Sequence, residues 1–129
     1  MQTILHYSLH LLFPALIAFV FFRKDWKKVY VIFLLTMLID LDHLFANPIF
    51  DPKRCSIGFH LLHSFYAIPI YIMLLFIPKK EIKIVSIGIL FHILTDTLDC
   101  IWSFSNCYEC FLNSKIHQLL AFLNLIGLK

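Results

Sequence analysis

Long apolar stretches separated by short polar segments dominate the sequence and limit what it can fold into. They cover about residues 3–22, 29–45, 58–77, 84–102 and 111–128. A helix needs about 20 apolar residues to cross the hydrocarbon core of a bilayer, with a range of about 17–25, and the first four stretches reach this length. Because backbone polar groups must be satisfied inside lipid, the pattern predicts an all-α, polytopic membrane helical bundle of four to five helices, forming a single integral membrane domain over residues 1–129.

The fifth stretch is weaker than the others because several polar residues interrupt it. It is predicted either to span the bilayer or to lie in the interface as an amphipathic helix. The composition agrees with lipid as the solvent, since 60% of the residues are hydrophobic and 15% are charged, whereas a soluble domain is about 45–50% apolar and about 25% charged. The basic residues do not follow one helix with stacking aromatics, so the sequence does not support nucleic-acid binding.

The basic residues predict the orientation of the chain. If the ends of the stretches alternate between two sides, eight basic residues fall on one side and three on the other. The positive-inside rule then places the richer side in the cytoplasm and the N-terminus outside, as expected for a multi-pass protein of the bacterial inner (cytoplasmic) membrane. The first stretch is not predicted to be a cleaved signal peptide, because no basic residue precedes it. The richer side has Arg23, Lys24, Lys27, Lys28, Lys79, Lys80, Lys83 and, if the fifth stretch spans the bilayer, Lys129; the other has Lys53, Arg54 and Lys115.

This topology places most of the polar groups at the outer face. The four cysteines also fall there, and an oxidising periplasm permits disulfides. Four cysteines allow three pairings, among which the sequence does not choose. Cys107-x-x-Cys110 is a weak metal-binding signal, and a structural disulfide is preferred. The outer groups are His6, His10, His43, His60, His63, His92, His117, Asp40, Asp42, Asp51, Asp96, Asp99, Glu109, Cys55, Cys100, Cys107 and Cys110.

The polar residues inside the apolar stretches occur in helical register. An ionisable group in a membrane helix costs about 2.5–3.5 kcal/mol on insertion scales, so its presence indicates a function. Residues three or four apart share a helix face, and four helices are therefore predicted to direct polar pairs toward one another at similar depth. The pairs are His6 with His10, Asp40 with His43, His60 with His63, and His92 with Asp96, and Asp99 continues the last face.

A mixed set of imidazoles and carboxylates favours a divalent metal, with zinc preferred and manganese or iron as alternatives. A bound metal lowers the pKa of its water to about 7, and Asp99 is the predicted general base. The two aspartates of Asp40-Leu41-Asp42-His43 could serve two ions. The predicted metal ligands are His6, His10, Asp40, Asp42, His63, His92 and Asp96. Outside this set, His117 is interpreted as a packing residue, His43 as either a helix-end residue or part of the site, and Asp51 as a turn residue.

These residues resemble the motifs of a known family. The runs Ile39-Asp40-Leu41-Asp42-His43, Leu62-His63-Ser64 and Gly88-x-x-x-His92-x-x-x-Asp96 are similar to those of the bacterial inner-membrane metal-dependent hydrolase family (the YdjM-like family). That family has an early His, then Pro-Asp-x-Asp-His, His-Arg-Gly-x-Thr-His-Ser and His-x-x-x-Asp. The resemblance covers about residues 6–99 and implies a membrane-embedded, metal-dependent hydrolase.

The sequence departs from that pattern at two places. Ile39 stands where the family has Pro, and Gly58-Phe59-His60-Leu61-Leu62-His63 replaces the family's His-Arg-Gly-x-Thr-His. The second change bears on substrate binding more than on metal binding. The His-x-x-x-Asp element is also similar to one in zinc-dependent phospholipase C and the P1-type nucleases, which are helical enzymes that cleave phosphoesters.

The polar residues and the resemblance suggest three functions to distinguish. The first is a metal-dependent hydrolase of a lipid or phosphoester at the outer face of the inner membrane, with membrane lipid and a divalent metal ion as partners and no nucleic acid. The alternative is a non-catalytic metal-binding membrane protein, such as a metal or proton transporter or a sensor. Transporters usually hold ionisable residues near the bilayer midplane, whereas here they lie toward one end. A b-type haem protein is disfavoured, because paired histidine ligands need no aspartates.

Overall fold

The computed structural model describes residues 2–49, 51 and 53–126. Within these residues the protein is all-α, with six α-helices and no strand. A 3-10 segment, Met37–Phe45, continues the second helix without a break. The helices are α1 Gln2–Phe21, α2 Trp26–Thr36, α3 Ala67–Leu74, α4 Lys80–Asn106, α5 Tyr108–Leu112 and α6 Lys115–Leu125.

Helices α1, α2 and α4 pack against one another, and α3 packs on α4. The contact between α2 and α4 is close because Gly88 has no side chain. A Cβ at Gly88 would lie 2.9 Å from Phe33 Cδ1 and 2.9 Å from both Cγ2 and Oγ1 of Thr36. This close approach holds the 3-10 segment beside the part of α4 that follows Gly88.

The third helix is shorter than its apolar stretch. A helix over 58–77 was predicted, but residues 58–66 form turns and bends, and α3 covers only Ala67–Leu74. Gly58 has a φ of +78°, which glycine adopts readily and which a helix does not allow. Pro69 lacks an amide hydrogen and is tolerated best in the first turn of a helix, which is where α3 places it.

Two other stretches are divided differently from the prediction. The stretch over 29–45 is an α-helix up to Thr36 and a 3-10 helix beyond it, and the stretch over 111–128 contributes to two short helices, α5 and α6. Ser114 separates these helices, because its side chain accepts a hydrogen bond from the backbone N–H of His117 and caps α6. The last residues, 127–129, lie outside the described residues. The fourth helix, α4, is longer at both ends than the predicted stretch over 84–102.

The interior is unusually polar and the surface unusually apolar. Among the described residues, ten apolar and ten polar or charged side chains are buried. Large apolar side chains are exposed along α1, for example Leu12 and Phe21 at 69% and 75%. Two helices, α1 over Ile4–Phe21 and α4, are long and apolar enough to cross a membrane. Buried core helices and signal sequences can have the same length and composition.

Candidate metal centre

Four of the predicted ligands converge in the interior and form what we call the central group: Asp40, His63, His92 and Asp96. The 3-10 segment supplies Asp40, the turns before α3 supply His63, and α4 supplies the other two from one face, four residues apart. One ligand atom from each residue lies within 4.8 Å of the others. His63, His92 and Asp96 are buried. The group could hold a metal ion.

The four nitrogen–oxygen distances within the central group are compatible with tetrahedral coordination. His63 Nε2 lies 3.4 Å from Asp40 Oδ1 and 3.3 Å from Asp96 Oδ2. His92 Nε2 lies 3.2 Å and 3.4 Å from the same two oxygens. Zinc binds nitrogen and oxygen at about 2.0–2.2 Å, so neighbouring ligand atoms of a tetrahedral site are about 3.3–3.6 Å apart. The four N–O distances are close to that range.

The two nitrogens of His63 have different surroundings. Nε2 is buried and makes no hydrogen bond, although two carboxylate oxygens are near it. Nδ1 lies 3.2 Å from Asp42 Oδ2, which also accepts a 2.7 Å hydrogen bond from the backbone N–H of Leu62. Because an ionised carboxylate only accepts hydrogen bonds, Nδ1 is the donor, and in the neutral ring Nε2 has the lone pair that a metal ion would bind. Carboxylates commonly support metal-binding histidines in this way.

A second group, the His6 group, consists of His6, His10 and Asp96, and it also offers ligand atoms within 4.8 Å of one another. His10 Nε2 lies 3.1 Å from Asp96 Oδ1. The His6 and His10 rings are 4.4 Å apart. His6 Nδ1 is buried without a hydrogen bond and lies 3.8 Å from Asp99 Oδ2. The structure therefore brings the predicted ligands of α1 next to the central group, and it places Asp99 at their edge.

A third group, the His43 group, consists of Asp42, His43 and His60. The rings of His43 and His60 stack with centroids 3.8 Å apart. His43 Nδ1 lies 3.1 Å from Asp42 Oδ1, and Nε2 lies 3.1 Å from Ser56 Oγ. His43 and His60 were not among the predicted ligands. The sequence signal for them was their spacing from Asp40 and His63, which was interpreted as a shared helix face.

The comparison with known proteins identifies a family but no activity. A model described as a family of unknown function (DUF6122) matches residues 1–103. The chain belongs to this family. No curated protein and no solved structure gave a significant match. The DUF6122 match includes all residues of the three groups, while α6 lies beyond it.

In this DUF6122 chain, two cavities adjoin the His6 group. A polar cavity of about 50 Å³ is lined by Arg54, Asp96 and Asp99, among others. An apolar cavity of about 380 Å³ lies between α1 and α4. His6 and Asp99 line both. A larger cavity, about 570 Å³, is lined by none of the predicted ligands, whereas the two smaller ones both reach His6.

The DUF6122 chain has two disulfides, and they resolve the pairing that the sequence left open. Cys55 pairs with Cys100, and Cys107 pairs with Cys110, so the disulfide interpretation of the Cys-x-x-Cys pair is confirmed. In both bonds the Cα atoms are 5.3 Å apart, which is ordinary for a disulfide. The bond between Cys55 and Cys100 links α4 to the segment that precedes the turns around His63.

Two polar residues outside the three groups, Asp51 and His117, have the turn and packing roles that the sequence predicts. Asp51 lies in a turn, where its carboxylate accepts a 2.9 Å hydrogen bond from the backbone N–H of Lys53. The His117 ring packs edge-on against Phe111, with centroids 5.0 Å apart. Because His117 belongs to none of the three groups found in the described part of the DUF6122 chain, it is a suitable control for the ligand histidines.

Proposed function

We propose that the protein is a membrane-embedded, metal-dependent hydrolase that uses zinc and acts on a lipid or phosphoester at the outer face of a bacterial inner membrane. The main support is the convergence of the central group, in which two imidazole nitrogens each lie 3.2–3.4 Å from oxygens of Asp40 and Asp96. Two carboxylates with neutral imidazoles carry about two negative charges, which a divalent ion offsets. Zinc suits such a tetrahedral nitrogen and oxygen set, and manganese or iron are the alternatives.

The distribution of polar and apolar side chains supports the membrane location. Soluble monomers rarely expose contiguous apolar patches larger than a few hundred Å², yet only 17% of the apolar window of α1 is buried. Ionisable residues of membrane helices face the interior of the bundle, as His10, His92 and Asp96 do. The irregular turns around His63 suit the same setting, because non-helical backbone is tolerated at membrane depth where protein buries it.

The ion pair between Lys80 and Asp25 supports the predicted orientation. Its 2.6 Å contact brings the α1–α2 loop and the start of α4 to one end of the bundle, and the Lys80 ammonium holds the pKa of Asp25 below its usual range. Basic residues concentrate at this end, which we assign to the cytoplasm. Asp96 follows Lys80 by sixteen residues, or about 24 Å of helix. The hydrocarbon core is about 30 Å thick, so the metal centre lies toward the outer face.

The chemistry that we propose is hydrolysis of an ester. A zinc ion held by the central group would lower the pKa of a bound water to about 7 and would polarise the ester oxygen. Asp99, which lines both cavities, accepts a proton from the attacking water as general base. The water oxygen bonds to phosphorus or to the acyl carbon, the bond to the leaving oxygen breaks, and the proton passes to that oxygen. The apolar cavity beside Asp99 accommodates the apolar part of a lipid.

The test is the metal content and activity of matched variants. We expect the purified wild-type protein and His117→Ala to retain zinc after desalting, measured by elemental analysis. His92→Ala and Asp96→Ala should retain less zinc than the wild type while still inserting into the membrane. Wild type should also hydrolyse a member of a panel of phospholipids and soluble phosphoesters, and the two variants should not.

Equal metal content in the wild type and both ligand variants would refute the metal centre. Metal binding without hydrolysis, together with metal or proton flux in liposomes, would instead support the transporter alternative.

A further inference from the structure

The geometry points to a second metal ion, which the His6 group holds beside the ion of the central group. This inference rests on the proposed metal centre. It adds that the centre holds two ions and that the ion at His6 faces the substrate. Three features support it. The two oxygens of the Asp96 carboxylate face different histidines, a buried nitrogen of His6 makes no hydrogen bond, and two cavities reach His6.

The carboxylate of Asp96 is shared between the two groups. Its Oδ2 lies 3.3 Å and 3.4 Å from the Nε2 atoms of His63 and His92, whereas its Oδ1 lies 3.1 Å from His10 Nε2. Each oxygen therefore belongs to a different set of imidazoles. A carboxylate that binds one ion through each oxygen is a common bridge in paired-metal sites, where the ions are about 3.5–4 Å apart. The His10 and His92 rings, one from each set, are 4.5 Å apart.

Hydrogen bonding distinguishes the His6 group from the His43 group. His6 Nδ1 is buried and makes no hydrogen bond, although an unpaired buried polar atom costs about 1–3 kcal/mol. A metal ion would satisfy it. In contrast, both ring nitrogens of His43 have hydrogen-bond partners within the protein, Asp42 and Ser56. Those bonds account for the His43 group without an ion, so we place the second ion at His6 and not there.

The two groups differ in the number of protein ligands. The central group offers four, which fills a tetrahedral site, whereas the His6 group offers three. Structural zinc sites have four protein ligands, and catalytic sites have three and keep one position open. The polar and the apolar cavity both reach His6. The ion of the His6 group is therefore the one that meets substrate, and the ion of the central group holds the helices and the bridging carboxylate in place.

The experiment counts ions in the full chain. Detergent-purified protein is stripped with a chelator, dialysed against zinc and measured by elemental analysis. We expect two ions per chain in the wild type and in His117→Ala, one in His6→Ala and in His10→Ala, and fewer than one in Asp96→Ala. With manganese as the probe, electron paramagnetic resonance should show an exchange-coupled pair in the wild type and isolated ions in His6→Ala.

Two outcomes would overturn the second site while leaving the proposed function intact: one ion in the wild type, or two ions in His6→Ala. A wild type that binds no ion would refute both. His10 is buried and its replacement risks misfolding, so His6→Ala, at a ring that is 31% exposed, decides the question, with circular dichroism as the check on folding.

Discussion

Asp42 tests whether a predicted ligand binds the metal or supports another ligand. Its Oδ2 accepts hydrogen bonds from the backbone N–H of Leu62 and from Nδ1 of His63, and His63 has no solvent exposure. Replacing Asp42 by Ala removes both bonds and the fixed tautomer of His63. Loss of such a supporting group typically weakens metal binding about 10–100-fold, which corresponds to about 1.4–2.7 kcal/mol.

The measurement is a competition titration of zinc against a chelating dye, using purified protein. We expect Asp42→Ala to weaken the tightest zinc site by 10–100-fold. Asp42→Asn should have a smaller effect, because the amide oxygen can still accept both hydrogen bonds. Asp96→Ala, which removes a ligand, should weaken it more than either. The reasoning fails if Asp42→Ala leaves affinity unchanged, or if it and Asp42→Asn both cost as much as Asp96→Ala.

Two further predictions concern the scaffold. Gly88→Ala should destabilise the protein by up to about 2 kcal/mol in detergent-titrated unfolding, since overpacking costs about 1–3 kcal/mol and Ala gains about 1 kcal/mol of helix propensity. Adding Thr36→Ala removes two of the three clashing atoms and should restore part of the loss; an additive double mutant would contradict the clash. Replacing Cys55 and Cys100 by Ser opens a loop with a sequence separation of 45 and should cost about 4 kcal/mol by loop entropy, measured as the unfolding free energy against the wild type. No change would mean that the bond does not restrain the unfolded chain.

The sequence predicted the site best where a helix runs through it. His92 and Asp96 on α4, and His6 and His10 on α1, are four residues apart on long regular helices, so the spacing alone placed each pair on one face. The same reasoning did not hold for His60 and His63. They lie in the turns before α3, and tertiary contacts direct their rings. His63 Nδ1 donates a hydrogen bond to Asp42, and the His60 ring stacks on that of His43.

Interactions between distant parts of the chain could not be predicted from spacing. Asp40 faces Nε2 of His63 and belongs to the central group, whereas Asp42 faces Nδ1 and supports the ring. Spacing in the sequence does not distinguish these two positions. The partner of Cys55 depends on how the turns pack on α4. Neither contact can be predicted without the packed bundle, because sequence spacing does not determine which distant residue a side chain will touch.

In the proposed function, the membrane location and the metal centre are energetically connected. An aspartate in a membrane helix costs about 2.5–3.5 kcal/mol on insertion scales. The two aspartates of the central group, Asp40 and Asp96, would therefore cost about 5–7 kcal/mol if both lay in the bilayer, and the group also has two buried imidazoles. Structural zinc sites supply about 10–16 kcal/mol at neutral pH, which exceeds the cost of the carboxylates and leaves a surplus for the imidazoles. A bundle with an apolar surface can therefore keep such a polar interior if an ion neutralises it. In that proposal the ion would stabilise the fold as well as supply the chemistry. The central group, which offers four ligands, is the position best suited to stabilising the fold.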